Sequence, residues 1–328
     1  MSEAESHGSV SGVIAVSLDG KGGASPISPS AAVAASADTP VWINIDFSDP
    51  HAAEWAWNES GLDDSIVGAM LDTESRPRTL QQGNGVLTML RGVNLNPGAR
   101  LEDMISVRTW LEPGRVVTAS RRCLRSLTEI RQNIEQGKGP PTPSQLLIDL
   151  IDRLNHYIGE GIEQIEEHID RAEDEAAHDS SLNRSSSFNQ LRRQTAQIRR
   201  YLSPQREALE RLARVTESVF DGEEMIELRE QLNRLTLGLE DLDLVRERAL
   251  VAQEEFLSLL AHEQNNRMLV LSIVAAIFLP LSFLTGLMGM NVAGLPGTVN
   301  AWSFWIIVLL MVLIAVAILA IFRNRKWL

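Results

Sequence analysis

"RMLVLSIVAAIFLPLSFLTGLMGMNVAGLPG", residues 267–297, sets a long apolar run against a Gly-Met-Asn tripeptide and a loop without acid or base. From Met268 to Phe322 there is no Asp, Glu, Lys, Arg or His. Two segments, 268–290 and 301–322, are each longer than twenty residues. At ~1.5 Å per helical residue, either crosses a ~30 Å hydrocarbon layer. A buried pair of soluble core helices would carry a polar stripe, which neither segment shows. Two spans return the chain to the side it started from. Arg267 before the first and "RNRKW" (323–327) after the second mark that side as cytoplasmic. Trp302 and Trp305 suit the opposite interface and Trp327 the inner one. The stretch 291–300 is then the external loop, and 323–328 a basic cytosolic C-terminus.

The two spans differ in kind. The second is uniformly bulky, as a lipid-facing helix should be, while the first mixes Ser, Thr, Ala and Gly among its large residues. Alternating steps of three and four from Asn265 reach Met268, Ser272, Ala275, Leu279, Ser282 and Gly286, one helix face of mostly small or weakly polar groups. Such a stripe serves helix packing in lipid, and it serves equally to line a pore when several copies surround an axis. Pro280 removes one backbone hydrogen bond from this span.

Outside the spans the chain is acidic. Its 328 residues carry a net charge of −13, and nearly all of that charge lies upstream of Met268. Nucleic-acid binding needs clustered Lys and Arg, so no nucleic-acid partner is expected, whereas an acidic surface gathers cations. One cysteine, Cys123, allows neither an intrachain disulfide nor a thiolate zinc cluster within one chain. Residues 1–39 are rich in Ser, Ala and Gly and predict a disordered tail without a secretory signal.

From Pro40 the pattern turns to short strands bounded by turns: 41–47, 85–93, 104–111 and 115–119. Residues 49–61 and 120–135 read as helices. The result is a small cytosolic α/β domain over 40–142, with no phosphate loop, nucleophile elbow or dinucleotide fingerprint, so no enzyme is expected. "GKGPPTP" is a linker. Beyond it, helices over 144–178 and 186–217 form a cytosolic hairpin within 143–222. A stalk helix follows over 223–267, with Leu228, Leu232, Leu235, Leu239, Leu242, Ala249 and Phe256 in near-heptad register. Nothing breaks the stalk before Pro280, so it should run directly into the first span, packed against copies of itself.

Candidate metal ligands are scattered. Glu163, Glu166, Glu167, Asp170, Glu173, Asp174 and Glu175 crowd one helix around His168, and His262 and Glu263 lie one turn before Asn265. Carboxylate and imidazole suit Zn²⁺, but no two histidines stand at the i, i+4 spacing of a helical zinc pair. Charge runs of this kind usually form solvated faces.

The opening stretch resembles the first membrane helix and signature of the CorA superfamily of divalent-cation transporters. The hallmark is Gly289-Met290-Asn291 after "IFLPLSFLTG", followed by one more span and a basic tail. "RPRTLQQGNGVLTMLRGVNLNPGA" and the "NVAGLPG" loop are similar to the zinc-transporting ZntB branch. The magnesium-type branch usually carries an acid after the signature, which this chain lacks. The resemblance implies a CorA-like funnel-shaped homopentamer in the bacterial inner membrane, with five first spans lining the pore and both termini cytoplasmic. It implies that Asn291 forms the external selectivity ring and touches the cation through its water shell. It further implies that the face from Asn265 through Gly286 lines the path, with Met268 and Leu279 as apolar constrictions. The cargo implied is a divalent cation, Zn²⁺ first and magnesium or cobalt as the alternative, with proton coupling an open possibility and no bound cofactor. The rival of another class is a membrane-anchored structural or signalling protein, which explains the stalk but not the Gly-Met-Asn signature.

Overall fold

The computed structural model describes residues 9–73, 76–178, 185–215, 220–290 and 302–325. The chain divides into two compact units, Met1–Ala252 and Gln253–Leu328.

In the first unit, strands β1 (Val13–Leu18), β2 (Ala24–Pro26), β3 (Val41–Asp46), β4 (Arg78–Gln82), β5 (Gly85–Gly92), β6 (Ile105–Glu112) and β7 (Arg115–Ser120) form one sheet. Their order is β2-β1-β3-β7-β6-β5-β4. Only the β3–β7 pairing is parallel, with Ile43 opposite Val117; the other ladders are antiparallel. The central strands are buried on both faces and therefore read as nearly continuous apolar runs. Alternate residues enter different cores. Trp42, Val86, Leu90, Val107 and Leu111 belong to one. Ile43, Ile45, Leu87, Met89 and Val117 belong to the other.

The second of these cores is closed by α1 (Pro29–Val33), α2 (Pro50–Asn58) and α3 (Asp64–Leu71), through Ala32, Trp55, Ile66 and Met70. The other is closed by α4 (Arg125–Glu135), α5 (Pro143–His178), α6 (Ser185–Val215) and the beginning of α7 (Gly222–Met288). Leu228, Leu235, Leu239, Leu242 and Ala249 of α7 share that core with Leu150, Ile158 and Ile165 of α5 and Leu202 and Leu209 of α6. The leucine register expected to pack copies of the stalk together is thus satisfied largely within one chain. Polar pairs fix the same junction: Asn155 donates to the Gln231 carbonyl at 2.9 Å, and Arg248 reaches Asp170 at 2.6 Å and Glu173 at 2.9 Å.

The expectation of a disordered tail over 1–39 is overturned from residue 13 onward. "VIAVSL" pairs with β3, Ala15 opposite Ile43, and Val13 and Ala15 enter the core. Ser28 caps α1 by accepting from the Ala31 amide at 3.2 Å. Composition misled here because small residues suffice where a short helix lies flat on a sheet. β4 and α3 were also missed. β4 has one buried residue, Thr79, and so lacks the alternation that marks a strand.

The second unit contains the end of α7 and helix α8 (Ser303–Asn324). Pro280 lies inside α7 without ending it, so the Ala276 carbonyl lacks its usual intrahelical donor.

Gly12 offers a test of the folded N-terminal segment. Its φ is +76°, and an added Cβ would lie 2.8 Å from Asp49 Cβ and 2.9 Å from Ala52 Cβ. In a disordered tail Gly12→Ala would be silent. We expect it instead to cost on the order of 1–3 kcal/mol, read as a lower thermal unfolding midpoint of the full chain.

Candidate functional site: the exposed face of the first apolar helix

Both apolar helices are exposed. In the most apolar windows of α7 and α8, 6% and 0% of residues are buried. A soluble core helix would be mostly buried, so these surfaces require another apolar medium.

From Met268 onward, the half-covered positions of α7 are Leu269, Ala276, Ile277, Pro280, Leu281 and Leu284, around the buried Ile273. On α8 they include Ile307, Val308, Met311, Ile314, Ala315 and Ile318. Both sets recur at spacings of mostly three and four, so each helix is exposed unevenly around its axis. Asn265, Met268, Ser272, Ala275, Leu279, Ser282 and Gly286 occupy another face of α7, and every one is exposed. Met268 and Leu279 are the large groups on it, at 64% and 71% exposure. The predicted face is therefore a single continuous strip, turned away from the covered side.

The end of α7 is built by its own hydroxyls. Thr285 Oγ1 donates to the carbonyls of Leu281 at 3.1 Å and Ser282 at 3.0 Å. The Gly289 amide then donates to the Thr285 carbonyl at 2.9 Å. An uncharged hydroxyl that bonds back to its own helix removes its polar cost from an apolar setting. Gly289 and Met290 follow directly; Asn291 and the loop through residue 301 lie outside the described residues.

The metal candidates are not gathered. Among the described residues no group of three or more His, Cys, Asp or Glu side chains is placed to hold an ion. Glu263 accepts from Arg267 one turn later at 3.3 Å, and His262 is exposed. His168 is exposed beside Arg171, Gln190 and Gln194. The acids around it are partly neutralised by Arg248, as expected of a solvated, ion-paired helix face.

The family described as CorA-like Mg²⁺ transporter protein matches residues 37–325. The chain belongs to this family. It is 37% identical over 296 residues to the divalent cation transporter CmaX of Pseudomonas aeruginosa, spanning 88% of this chain and 87% of that one. It is 33% identical over 316 residues to the zinc transport protein ZntB of Yersinia pseudotuberculosis, covering 96% of each. The structure of full-length CmaX superposes with a TM-score of 0.83 at 34% identity, over 98% of this chain and all of that one. The CorA magnesium transporter of Methanocaldococcus jannaschii shares the fold, with a TM-score of 0.81 at 18% identity over 96% and 98% of the two chains. The family is one of divalent-cation transporters, and the mixed α/β domain, long helix and pair of apolar helices are its architecture.

The two faces of α7 differ in a measurable way. With the exposed Cys123 replaced by Ser, cysteines at Ser272, Ser282 and Gly286 should react with a water-soluble thiol reagent in the membrane-embedded protein. A cysteine at the covered Ile273 should not. Equal protection of all four would place the strip against lipid.

Proposed function

We propose that this chain is a subunit of a homopentameric pore that carries divalent cations, Zn²⁺ foremost, across the inner membrane. The observation that carries the reading is the strip from Met268 to Gly286: it is exposed in one chain, lies on one face, and runs up to Gly289-Met290. Five such strips around an axis would be screened from lipid and would line a path containing no titratable side chain. The CorA family resemblance supports five copies. The match to ZntB over nearly the whole chain, with no acid in residues 291–300, supports zinc over magnesium.

In this reading the Gly-Met-Asn motif closes the outer end of the path. Asn291 side-chain carbonyls accept hydrogen bonds from the water shell of an arriving dication or replace some of those waters. A ring of neutral amides holds the ion less tightly than a ring of carboxylates, so the ion can leave. Met268 and Leu279 narrow the path with apolar groups, where loss of water would close it. Asn265, Glu263 and His262 stand at its inner end, within an acidic protein that attracts cations. At about 100 mV the membrane potential contributes about 4.6 kcal/mol for each dication, enough for a gradient of more than about a thousandfold. Import thus needs no second driver. Proton relays inside membranes use Asp, Glu or His, and residues 268–322 contain none. Any coupling to protons would have to use groups outside the spans.

The test is uptake of Zn²⁺ and Mg²⁺ by purified protein in liposomes, with and without an imposed pH gradient. Zn²⁺ should enter in response to membrane potential. Asn291→Ala should abolish discrimination or reduce uptake at least tenfold while leaving assembly intact. Unchanged uptake and unchanged Zn²⁺/Mg²⁺ preference in that variant would remove the asparagine ring. Magnesium entering in preference to zinc in the unmodified protein would reassign the cargo.

A further inference from the structure

Helix α7 carries a second apolar stripe, which the core shared with α5 and α6 does not use. Leu237, Leu244 and Val251 are 59%, 60% and 51% exposed, and all three lie in the first unit. They stand seven residues apart and so form one line along the helix, distinct from the line of Leu235, Leu242 and Ala249 that enters the core. Apolar residues scattered singly on a surface are ordinary. A line of them at this spacing matches the seam that another helix fills. The stripe is edged by acids: Glu240 and Glu247 are exposed, follow Leu237 and Leu244 by three residues each, and are themselves seven apart. Among the described residues neither carboxylate has an ion-pair partner, unlike Asp152, Asp170 and Asp243.

The complementary surface lies on α6. Residues 185–206 contain five arginines and no Asp or Glu, in a chain whose net charge is −13. Arg193 and Arg200 are exposed and also seven residues apart, with Ala196 and Gln197 exposed between them. A groove of about 680 Å³ is lined by Arg193, Arg199, Arg200 and Arg246 with Ala196 and Pro204, among others. Arg199 is committed within the chain, to Asp243 at 2.7 Å. Among the described residues Arg193, Arg200 and Arg246 have no carboxylate partner.

Charge selects the occupant of the stripe. Two copies of α7 laid stripe to stripe would bring Glu240 and Glu247 of one towards those of the other, and like charges oppose such pairing. A stripe laid on an arginine face meets opposite charge instead. Two helical turns, about 10.5 Å, separate Arg193 from Arg200 and equally separate Glu240 from Glu247. The methylene stems of arginine cover apolar surface while the guanidinium reaches a carboxylate. Each chain carries both surfaces on different helices, which is the arrangement of a head-to-tail contact that closes into a ring.

We propose that the stripe Leu237, Leu244, Val251 of one chain docks on the Arg193–Arg200 face of α6 in a second copy of this chain. Glu240 and Glu247 pair with those arginines. The inference rests on the homopentamer proposed above, and it assigns the contact in the first unit to α7 against α6, not α7 against α7. Burial of the stripe drives the contact. The exposed ion pairs add little strength and choose the partner.

The experiment is disulfide trapping of the full chain in detergent, with Cys123 replaced by Ser. Gln197→Cys combined with Leu244→Cys should give a ladder of cross-linked chains under mild oxidation, and neither single cysteine should. Arg193→Glu/Arg200→Glu in that background should cut cross-linking at least tenfold, and adding Glu240→Arg/Glu247→Arg should restore it. All four of these charged side chains are exposed, and circular dichroism checks the fold of each variant. A ladder from Leu244→Cys alone would give the stripe to α7 of the neighbour and overturn the proposal, as would cross-linking indifferent to charge reversal. Light scattering of the unmodified chain separates the two levels. An oligomer with no ladder from the cysteine pair removes the docking alone, whereas a monomer removes the homopentamer with it.

Discussion

A backbone that enters lipid must satisfy its own hydrogen bonds, and this requirement organises the molecule through helix α7. The helix runs without interruption from Gly222 to Met288, about 100 Å at the usual rise. Its environment changes along the way. Up to Ala249 its leucines complete a core shared with α5 and α6. Past Arg267 it carries no titratable group, and its surface is exposed. A helix can serve both environments because its hydrogen bonds are internal in each; a strand at the same boundary would present open edges to lipid. Polar side chains in the apolar stretch obey the same constraint. Thr285 bonds back to its own turn; Pro280 is an exception, leaving the Ala276 carbonyl without its intrahelical donor.

Charge is partitioned as sharply as hydropathy. The acids of α5 are paired with arginines of α7 at Asp152–Arg234 and Asp170–Arg248, which ties the helices together at the rim of their shared core. Such exposed pairs add little stability individually. Their effect is to fix the register set by the leucines while leaving the excess of carboxylates to attract cations.

The parts legible in the sequence were those with strong periodicity. β3, β5, β6 and β7 stood out because β-branched residues lie between clear turn signals. α5, α6 and α7 stood out through long apolar spacing, and the two spans through absence of charge. The N-terminal strand was hidden by its surroundings: Val13–Leu18 sits among Ser, Gly and Ala, and its partners are β2 and β3. Long-range pairing rescues a segment that composition alone assigns to solvent. The leucine register of the stalk was legible, and within one chain much of it meets α5 and α6; a heptad specifies that a face is covered and not which chain covers it. Some juxtapositions left no local signature: Arg91, Arg108, Arg121 and Arg122 are dispersed along the chain and come together where β3, β5 and β7 end on the same side of the sheet.

The exposed strip of α7 was legible for a different reason. Small and weakly polar residues at alternating spacings of three and four are compatible with packing and with water, and periodicity cannot separate the two. The structure adds that the exposure of α7 is uneven around its axis: Ile273 is buried and its neighbours on that side are half covered, whereas Ser272, Ser282 and Gly286 lie on the fully exposed side. Uncharged hydroxyls and glycines on a surface that neither partner helix nor core requires are poorly suited to lipid, which rewards bulk, as the Ile, Leu and Val of α8 illustrate. They are well suited to a narrow aqueous path, where a side chain must tolerate water without binding the ion strongly enough to stop it. The two helices of the same unit differ in this respect: α8 carries no hydroxyl or glycine after Ser303, whereas α7 interleaves Ser272, Ser282 and Gly286 with exposed Phe278, Leu279 and Phe283, and it is those small polar interruptions, which lipid does not reward, that the proposed path accounts for.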